Sequence, residues 1–567
     1  MYRIVLIVCL SFHFFSCANS NPSNVHDEIV RSAKIDSAMV VSAHPLASEI
    51  GKSILMKGGN AIDAAIAVQF ALAVVHPSAG NIGGGGFMVI RLNKGDCFTL
   101  DFREKAPSKA HRDMFLNDSG LIVERLSLDG VLSVGVPGTV DGMCMAHQKF
   151  GTLAWVDLVQ PAIDLAQFGF SLTQLEAEGL NYYIKSKLKF NSLLPSFIIK
   201  DDWNEGDTIV LTDLAHTLSL IKNAKRAGFY EGETALKITQ EMERSKGLIT
   251  LKDLKDYQSV WREPLIGDFK NYKLISMGPP SSGGACLLQM LKMLEPYKLK
   301  QMGLHSSEAI HCIVEAEKRA FADRSKYYGD PDFIKIPLDS LLDSSYLIQR
   351  MSNYSSSVAT SCDSIDPGNF VSSESEETTH YSIVDPYGNA VSVTTTLNSS
   401  YGSGVIVGDA GFLLNNEMDD FSSKPGHPNL YGLIGGEANS IQPNKRMLSS
   451  MTPSIVEKNG QLFMVVGTPG GSTIITGVLQ TILNVVEYDL SIQDAVTKAR
   501  FHHQWRPDEI KIESNKFDSL VIQKLKQMGH TFKKVNSMNR VDAILIKEDG
   551  SIEAGADPRG DDAFSGF

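Results

Sequence analysis

Two hydroxyl-rich runs stand close together, T-T-H-Y-S-I-V-D from Thr378 and V-S-V-T-T-T-L-N ending at Asn398. Between them, Asp385-Pro386-Tyr387-Gly388-Asn389 has the chemistry of a three-residue hairpin loop. Proline suits its first position and glycine the left-handed one that follows. If Asp385 faces Asn389, then Ser382 faces Ser392, His380 faces Thr394 and Thr378 faces Thr396. Strand side chains alternate with period two. One face then carries Thr378, His380, Ser382, Ser392, Thr394, Thr396 and Asn398, and the other carries Tyr381, Ile383, Val391, Val393 and Leu397. Paired threonines are ordinary sheet residues, so position decides between packing and chemistry. Thr378 follows a serine-rich tract, residues 352–377, that ends in acids and whose composition buries too little apolar surface to order itself. A threonine hydroxyl needs a base beside it, and a free α-amine on the same residue, with pKa roughly 7.7–8.0, is one. That amine exists only after the Glu377–Thr378 bond breaks. The pattern therefore points to an N-terminal nucleophile released by self-cleavage, with Thr396 orienting the Thr378 end.

Other candidates are weaker. Gly470-Gly471 follow a strand pattern and open a helix, where backbone N–H groups can face an anion; a phosphate loop would need G-x-x-x-x-G-K-[ST], which is absent. The glycines Gly83 to Gly86 read as close backbone packing. His502 and His503 invite a metal, but neighbours on one element point apart and no third ligand has suitable spacing, so they read as structural and no catalytic metal is expected. Of seven cysteines, Cys9 and Cys17 fall in the leader described below. The other five are scattered without C-x-x-C and read as small buried hydrophobes.

The elements that must position these groups alternate in kind. Residues 46–75 read as two helices broken at Gly58-Gly59, with Asn60 as N-cap of the second, which is apolar nearly all round and so deeply buried. C-F-T-L-D-F-R-E-K-A-P reads as a strand with Arg103 near its end. Residues 155–330 are mostly helical. After 378 strands return, among them M-L-S-S-M-T-P-S-I-V and L-F-M-V-V-G, and the chain closes on a hairpin. Strand-rich ends around central helices imply a layered α/β architecture.

The chain has 567 residues, 43% hydrophobic and 21% charged, with a formal charge of −12 spread along its length. It lacks the basic stripes that nucleic-acid binding needs. Residues 1–20 place Arg3 before a short apolar run and small polar residues, a secretory signal pattern whose apolar run is shorter than a membrane span needs. Phe15-Ser16-Cys17 also resembles a degenerate lipoprotein site, with lipid attachment at Cys17. Export to the periplasm or the outside is the expectation.

The runs T-T-H-Y-S-I-V-D, N-N-E-M-D-D-F, N-K-R-M-L-S-S-M-T-P and G-T-P-G-G-S, with G-G-N-A-I-D-A-A, D-F-R-E-K-A-P and A-D-R-S-K-Y-Y-G-D-P, closely resemble the γ-glutamyltransferases. That resemblance implies an Ntn-hydrolase with a four-layer αββα sandwich built from two autoprocessed subunits. The large one would span 21–377, with a flexible linker at about 352–377, and the small catalytic one 378–567, together a heterodimer. It implies Thr378 as nucleophile and Gly470-Gly471 as oxyanion hole. Arg103, Ser449 and Ser450 would hold the substrate α-carboxylate, and Asp420, Glu417 and Asn398 the α-ammonium. Residues 424–436 would form a lid gated by Tyr431. Implied substrates are glutathione and other γ-glutamyl compounds, with water, amino acids or dipeptides as acceptors and no cofactor. A related acylase for glutaryl-type amides and an inactive secreted homologue are the alternatives.

Overall fold

The computed structural model describes residues 33–366, 377–424 and 436–567. The expected leader with Cys17, residues 367–376, and the 424–436 loop with Tyr431, except its two end residues, lie outside the described residues.

Helices α1 (Pro45–Met56) and α2 (Ala61–Val75) form the expected pair. The Asn60 side chain accepts from the Ile62 and Asp63 amides, and the Asp63 carboxylate accepts from the Asn60 amide, a reciprocal cap typically worth ~1 kcal/mol. Every residue of α2 is buried, as a helix without a polar face requires. The Ala61 amide also donates to Asp385 Oδ2 at 2.9 Å. That bond ties the tip of the central hairpin to the start of the most buried helix.

Among the described residues, fourteen strands build two large sheets in which every pairing is antiparallel. They are β1 (Lys34–Ile35), β2 (Met39–Ser42), β3 (Gly85–Arg91), β4 (Cys97–Asp101), β5 (Val260–Arg262), β6 (Leu265–Phe269), β7 (Tyr272–Ser276), β8 (Glu377–Val384), β9 (Ala390–Asn398), β10 (Ser454–Lys458), β11 (Gln461–Gly467), β12 (Asp542–Ile546), β13 (Ile552–Gly555) and β14 (Ala563–Gly566). One sheet runs β14-β2-β8-β9-β3-β4-β5 and the other β1-β13-β12-β11-β10-β7-β6. Met39, Val41, Phe87, Val89, Ile275, Ile455, Val465 and Ile544 fill the space between the sheets. Helices α1, α2 and α3 (Trp155–Phe168) cover the outer face of the first sheet, and helix α4 (Gln174–Ser186) follows α3 in the chain. Helices α5 (Gly283–Leu294), α6 (Ser307–Tyr327) and α7 (Thr473–Val486) cover the second. This is a four-layer αββα sandwich.

The hairpin β8–β9 sits centrally in its sheet. Asp385 and Asn389 close the loop, with Gly388 at φ +85°. Tyr381, Ile383, Val391, Val393 and Leu397 pack into the helix-covered core. The hydroxyl face looks into the space between the sheets and is bonded there. His380 contacts Thr394 Oγ1 at 2.9 Å and Ser382 Oγ at 3.1 Å, Ser382 Oγ donates to Asp542 O, and Ser392 Oγ donates to Val466 O. Burial holds His380 down at about 3, so the ring is neutral.

Two sequence expectations need correction. The serine-rich tract is tied down over residues 352–366. His311 Nε2 donates to Ser355 O at 2.7 Å, Lys318 Nζ to Thr360 O at 2.8 Å, Trp505 Nε1 to Cys362 O at 3.2 Å, and the Ala359 amide to Met528 O at 2.7 Å. Cys362 and Ile365 are buried. The order comes from partners on α6 and residues 505–528, which local composition cannot reveal. The run from Met447 is not strand until Ser454. Before that the chain crosses to the start of α5, with Ser449 and Pro280–Ser282 exchanging backbone hydrogen bonds.

Candidate active site

Thr378 is the second residue of β8 and only 5% exposed. The predicted register holds at Ser382–Ser392 and His380–Thr394, then slips: Glu377 pairs with Asn398 instead of facing Leu397. One residue, Thr378, thus lies against two, Thr396 and Leu397, in a bulge. Such bulges re-aim side chains beside functional sites. Thr396 Oγ1 accepts from the Asn398 amide at 2.7 Å, and Asn398 takes φ +76°. Asn81 braces the bend, its Nδ2 donating to Thr396 O at 2.9 Å and Thr395 Oγ1 at 3.1 Å. Gly84 presses on the same place: a Cβ there would lie 2.0 Å from Thr396 O. The glycine tract is therefore close packing, directed at the strand that faces Thr378.

Gly470 and Gly471 form the turn between β11 and α7 at φ +128° and +56°. Asn539 Nδ2 ties this turn to Pro469 O and Thr473 Oγ1, both at 2.9 Å. The Thr473 and Ile474 amides donate to Gly470 O and Gly471 O at 3.1 and 3.0 Å, and the dipole of the long apolar helix that starts here favours negative charge at this point.

Arg103 follows β4 and is fully buried. Its NH1 lies 2.6 Å from Glu417 Oε2, its NH2 pairs with Asp420, and NH2 and Nε reach Leu448 O at 3.0 Å and Met447 O at 3.4 Å. The predicted carboxylate clamp and the predicted ammonium acceptors are therefore in contact with each other. Glu104 adds a further buried carboxylate 3.8 Å from the guanidinium. Burial pushes Glu104 up to about 8 and Glu417 well above the usual carboxylate range, with Arg103 opposing both shifts. Neither oxygen of Glu104, nor Glu417 Oε1, nor Asn398 Oδ1 has a hydrogen-bond partner. Buried acceptors in this state carry a cost. The cluster holds more acid than its one guanidinium can serve, which suits a ligand bringing both a carboxylate and an ammonium.

Ser449 and Ser450 lie beside Arg103, through the carbonyl of Leu448. Arg324, buried on α6, donates to Ser282 Oγ at 2.8 Å and reaches Ser450 Oγ at 3.4 Å, while Ser282 Oγ donates to Ser449 O at 2.9 Å. Sequence reasoning missed Glu104, Asn81 and Arg324. Glu104 sits in D-F-R-E-K and Arg324 in A-D-R-S-K; each was part of a quoted motif, but an acid beside an arginine reads as a surface pair. Asn81, in A-G-N-I-G, gave no separate signal.

His502 is held by Thr476 and Gln504. His503 has the neighbours that the sequence spacing failed to show: its ligand atom lies within 4.8 Å of those of Cys362 and Asp508. The Trp505 amide donates to His503 Nδ1 at 3.0 Å. That bond places the ring proton on Nε2, which donates to Asp508 Oδ1 at 3.2 Å, an arrangement for a hydrogen bond more than for a metal.

A cavity of about 560 Å³ opens beside Thr378 and Gly470, walled by residues 73–82, α4 and the 535–540 segment. The Arg103 cluster does not line it.

A family model described as Gamma-glutamyltranspeptidase matches residues 47–567. The chain is 43% identical to the glutathione hydrolase proenzyme of Escherichia coli (strain K12), covering 100% of this chain and 99% of that protein. It is 35% identical to the acylase ACY 1 proenzyme of Pseudomonas sp. (strain V22), covering 92% of each. Among solved structures, cephalosporin acylase from Bacillus halodurans superposes with a TM-score of 0.82 at 24% identity, covering 97% of this chain and 99% of that one. That superposition shows that the two chains share the fold.

Proposed function

The chain belongs to the gamma-glutamyltranspeptidase family, and from that premise we infer a γ-glutamyltransferase with glutathione hydrolase activity, made as a precursor that cuts itself before Thr378. Self-cleavage begins when Thr378 Oγ attacks the Glu377 carbonyl carbon. The peptide C–N bond breaks as the acyl group shifts to oxygen, and water hydrolyses the ester. Glu377 leaves with a carboxylate and Thr378 gains an α-amine. That amine then takes the Oγ proton during attack on a γ-glutamyl amide. Negative charge on the tetrahedral oxygen falls to the amides of Gly470 and Gly471. The leaving amine takes the proton, and the γ-glutamyl ester passes to water or to the amine of an amino acid or dipeptide.

The observation that carries this reading is the Arg103 cluster. A γ-glutamyl group ends in a zwitterion. Its carboxylate replaces an acid on the Arg103 fork, helped by Ser449 and Ser450, and its ammonium replaces Arg103 as partner of Glu417 and Asp420 and gives Asn398 Oδ1 a donor. Both halves of the ion pair exchange one partner for another, so little desolvation is left uncompensated. A glutaryl group has no ammonium and would strand the acids, which disfavours the acylase reading. Tyr431 is proposed to gate the site, residues 378–567 to form the small catalytic subunit, and the leader to deliver the protein outside the cytoplasm. Side-by-side assay of γ-glutamyl and glutaryl anilides tests the reading. Faster release from the glutaryl compound would overturn it.

A further inference from the structure

The oxyanion role given to Gly470 and Gly471 needs both amides aimed at one point. The turn that carries them does not fix that aim by itself. Its glycines sit at φ +128° and +56°, and no Cβ narrows the choice of backbone angles there. A peptide unit is planar and trans, so its N–H points opposite to its C=O. The direction of the Gly470 amide is therefore set by Pro469 O, and that of the Gly471 amide by Gly470 O.

Asn539 reaches both carbonyls. Its Nδ2 donates to Pro469 O and to Thr473 Oγ1, each at 2.9 Å, and Thr473 Oγ1 donates in turn to Gly470 O at 2.6 Å. A carbonyl only accepts, so the nitrogen of the carboxamide must be the atom that faces Pro469 O. This is the reverse of a helix cap. A capping side chain accepts from free amides of the first turn, whereas Asn539 donates to carbonyls and leaves the amides open. Among the described residues, the Gly470 and Gly471 amides donate to no protein acceptor. The clamp is itself moored. Asn539 takes φ +60°, which asparagine tolerates. On either side of it, the Arg540 amide donates to Thr468 Oγ1 at 3.1 Å and Arg500 NH1 donates to Met538 O at 2.8 Å. It also fits closely, since a Cβ on Gly477 of α7 would lie 3.1 Å from Asn539 Cγ. We propose that Asn539 is a positioning residue for the reaction, aiming both oxyanion amides by holding the carbonyls of the same two peptide units. This rests on the reading of Gly470 and Gly471 as the oxyanion site.

The test uses three ligands on enzyme already cut into two chains. They are a γ-glutamyl anilide, a glutamate analogue with a boronic acid in place of its γ-carboxyl, and norvaline, which has the head group and no γ-oxygen. The boron takes the Thr378 oxygen, the hydroxyl proton passes to the α-amine, and a tetrahedral anion results. Asn539→Gly suits the positive φ and removes the clamp. It should lower kcat for the anilide about 10- to 100-fold and raise the boronate Ki by a similar factor, while the norvaline Ki moves less than about twofold. Thr473→Val breaks only the arm to Gly470 O and should give the same pattern with a smaller loss. If Asn539→Gly stays uncut, Thr473→Val decides by that pattern. Weakening of both inhibitors alike would mean a general structural role and refute the proposal. Failure of both variants to cut themselves would place the clamp in maturation and also refute it. A boronate that inhibits the unsubstituted enzyme no better than norvaline would remove the oxyanion reading itself. Tight boronate binding that neither variant alters, with kcat unchanged, overturns this inference alone.

Discussion

Arg103→Lys keeps the positive charge and removes the fork. The guanidinium spreads its contacts over three nitrogens: NH1 to Glu417 at 2.6 Å, NH2 to Asp420 and Leu448 O, and Nε toward Met447 O. A lysine offers one nitrogen on a stem of different length, so at least one charge-assisted hydrogen bond to the substrate carboxylate is lost. Such bonds contribute about 1.5–3 kcal/mol each. At about 1.4 kcal/mol per factor of ten, kcat/KM for γ-glutamyl anilide hydrolysis should fall about 10- to 150-fold. Most of the loss belongs in KM, because the head group is held equally in the ground and transition states. The assay is steady-state anilide release from protein first shown to be cut into two pieces. A kcat/KM within about threefold of the unsubstituted enzyme would mean that Arg103 is an internal structural ion pair and that the head group binds elsewhere.

Three further outcomes follow from the same site. Burial holds Glu417 above the usual range, so an arriving ammonium should ionise it. Calorimetry of L-glutamate binding in buffers of different ionisation enthalpy should then show net proton release, and a buffer-independent enthalpy contradicts this. Glu104, raised to about 8, binds more protons folded than unfolded between its unfolded value and pH 8. It therefore adds stability fully present below pH about 4.5 and lost as pH rises toward 8, with a limiting slope of ~1.4 kcal/mol per pH unit. Glu104→Gln should flatten that part of the denaturation profile, and an unchanged slope refutes the assignment. Gly470→Ala must place a Cβ 2.5 Å from Asn539 Nδ2 at φ +128°; kcat should drop on the order of 10²–10³ with a smaller change in KM, whereas an unaltered kcat removes Gly470 from the oxyanion site.

Features set by neighbours in sequence were legible. Asn60 caps α2 because Asp63 stands three residues on, and Pro386-Tyr387-Gly388 turns because its own chemistry demands it. The alternation of 378–398 correctly divided core from polar face. The bulge at Thr378 was not legible, because it depends on Asn81 and Gly84, about 300 residues away, pressing on Thr396. The order of 352–366 was hidden for the same reason, its partners being His311, Lys318, Trp505 and Met528. The residues of the Arg103 cluster were named from motifs. Their mutual neutralisation, and the surplus carboxylate of Glu104, emerge only when β4 and the 417–420 turn meet.

Intact mass and N-terminal sequence of the purified chains, for the unsubstituted protein and for Thr378→Ala, bear most directly on the nucleophile. Two pieces, the smaller beginning at Thr378, are expected from the first, and a single uncut, inactive chain from the second. Cleavage of the alanine variant at the same bond would show that another group cuts the chain, and the role given to Thr378 would fall.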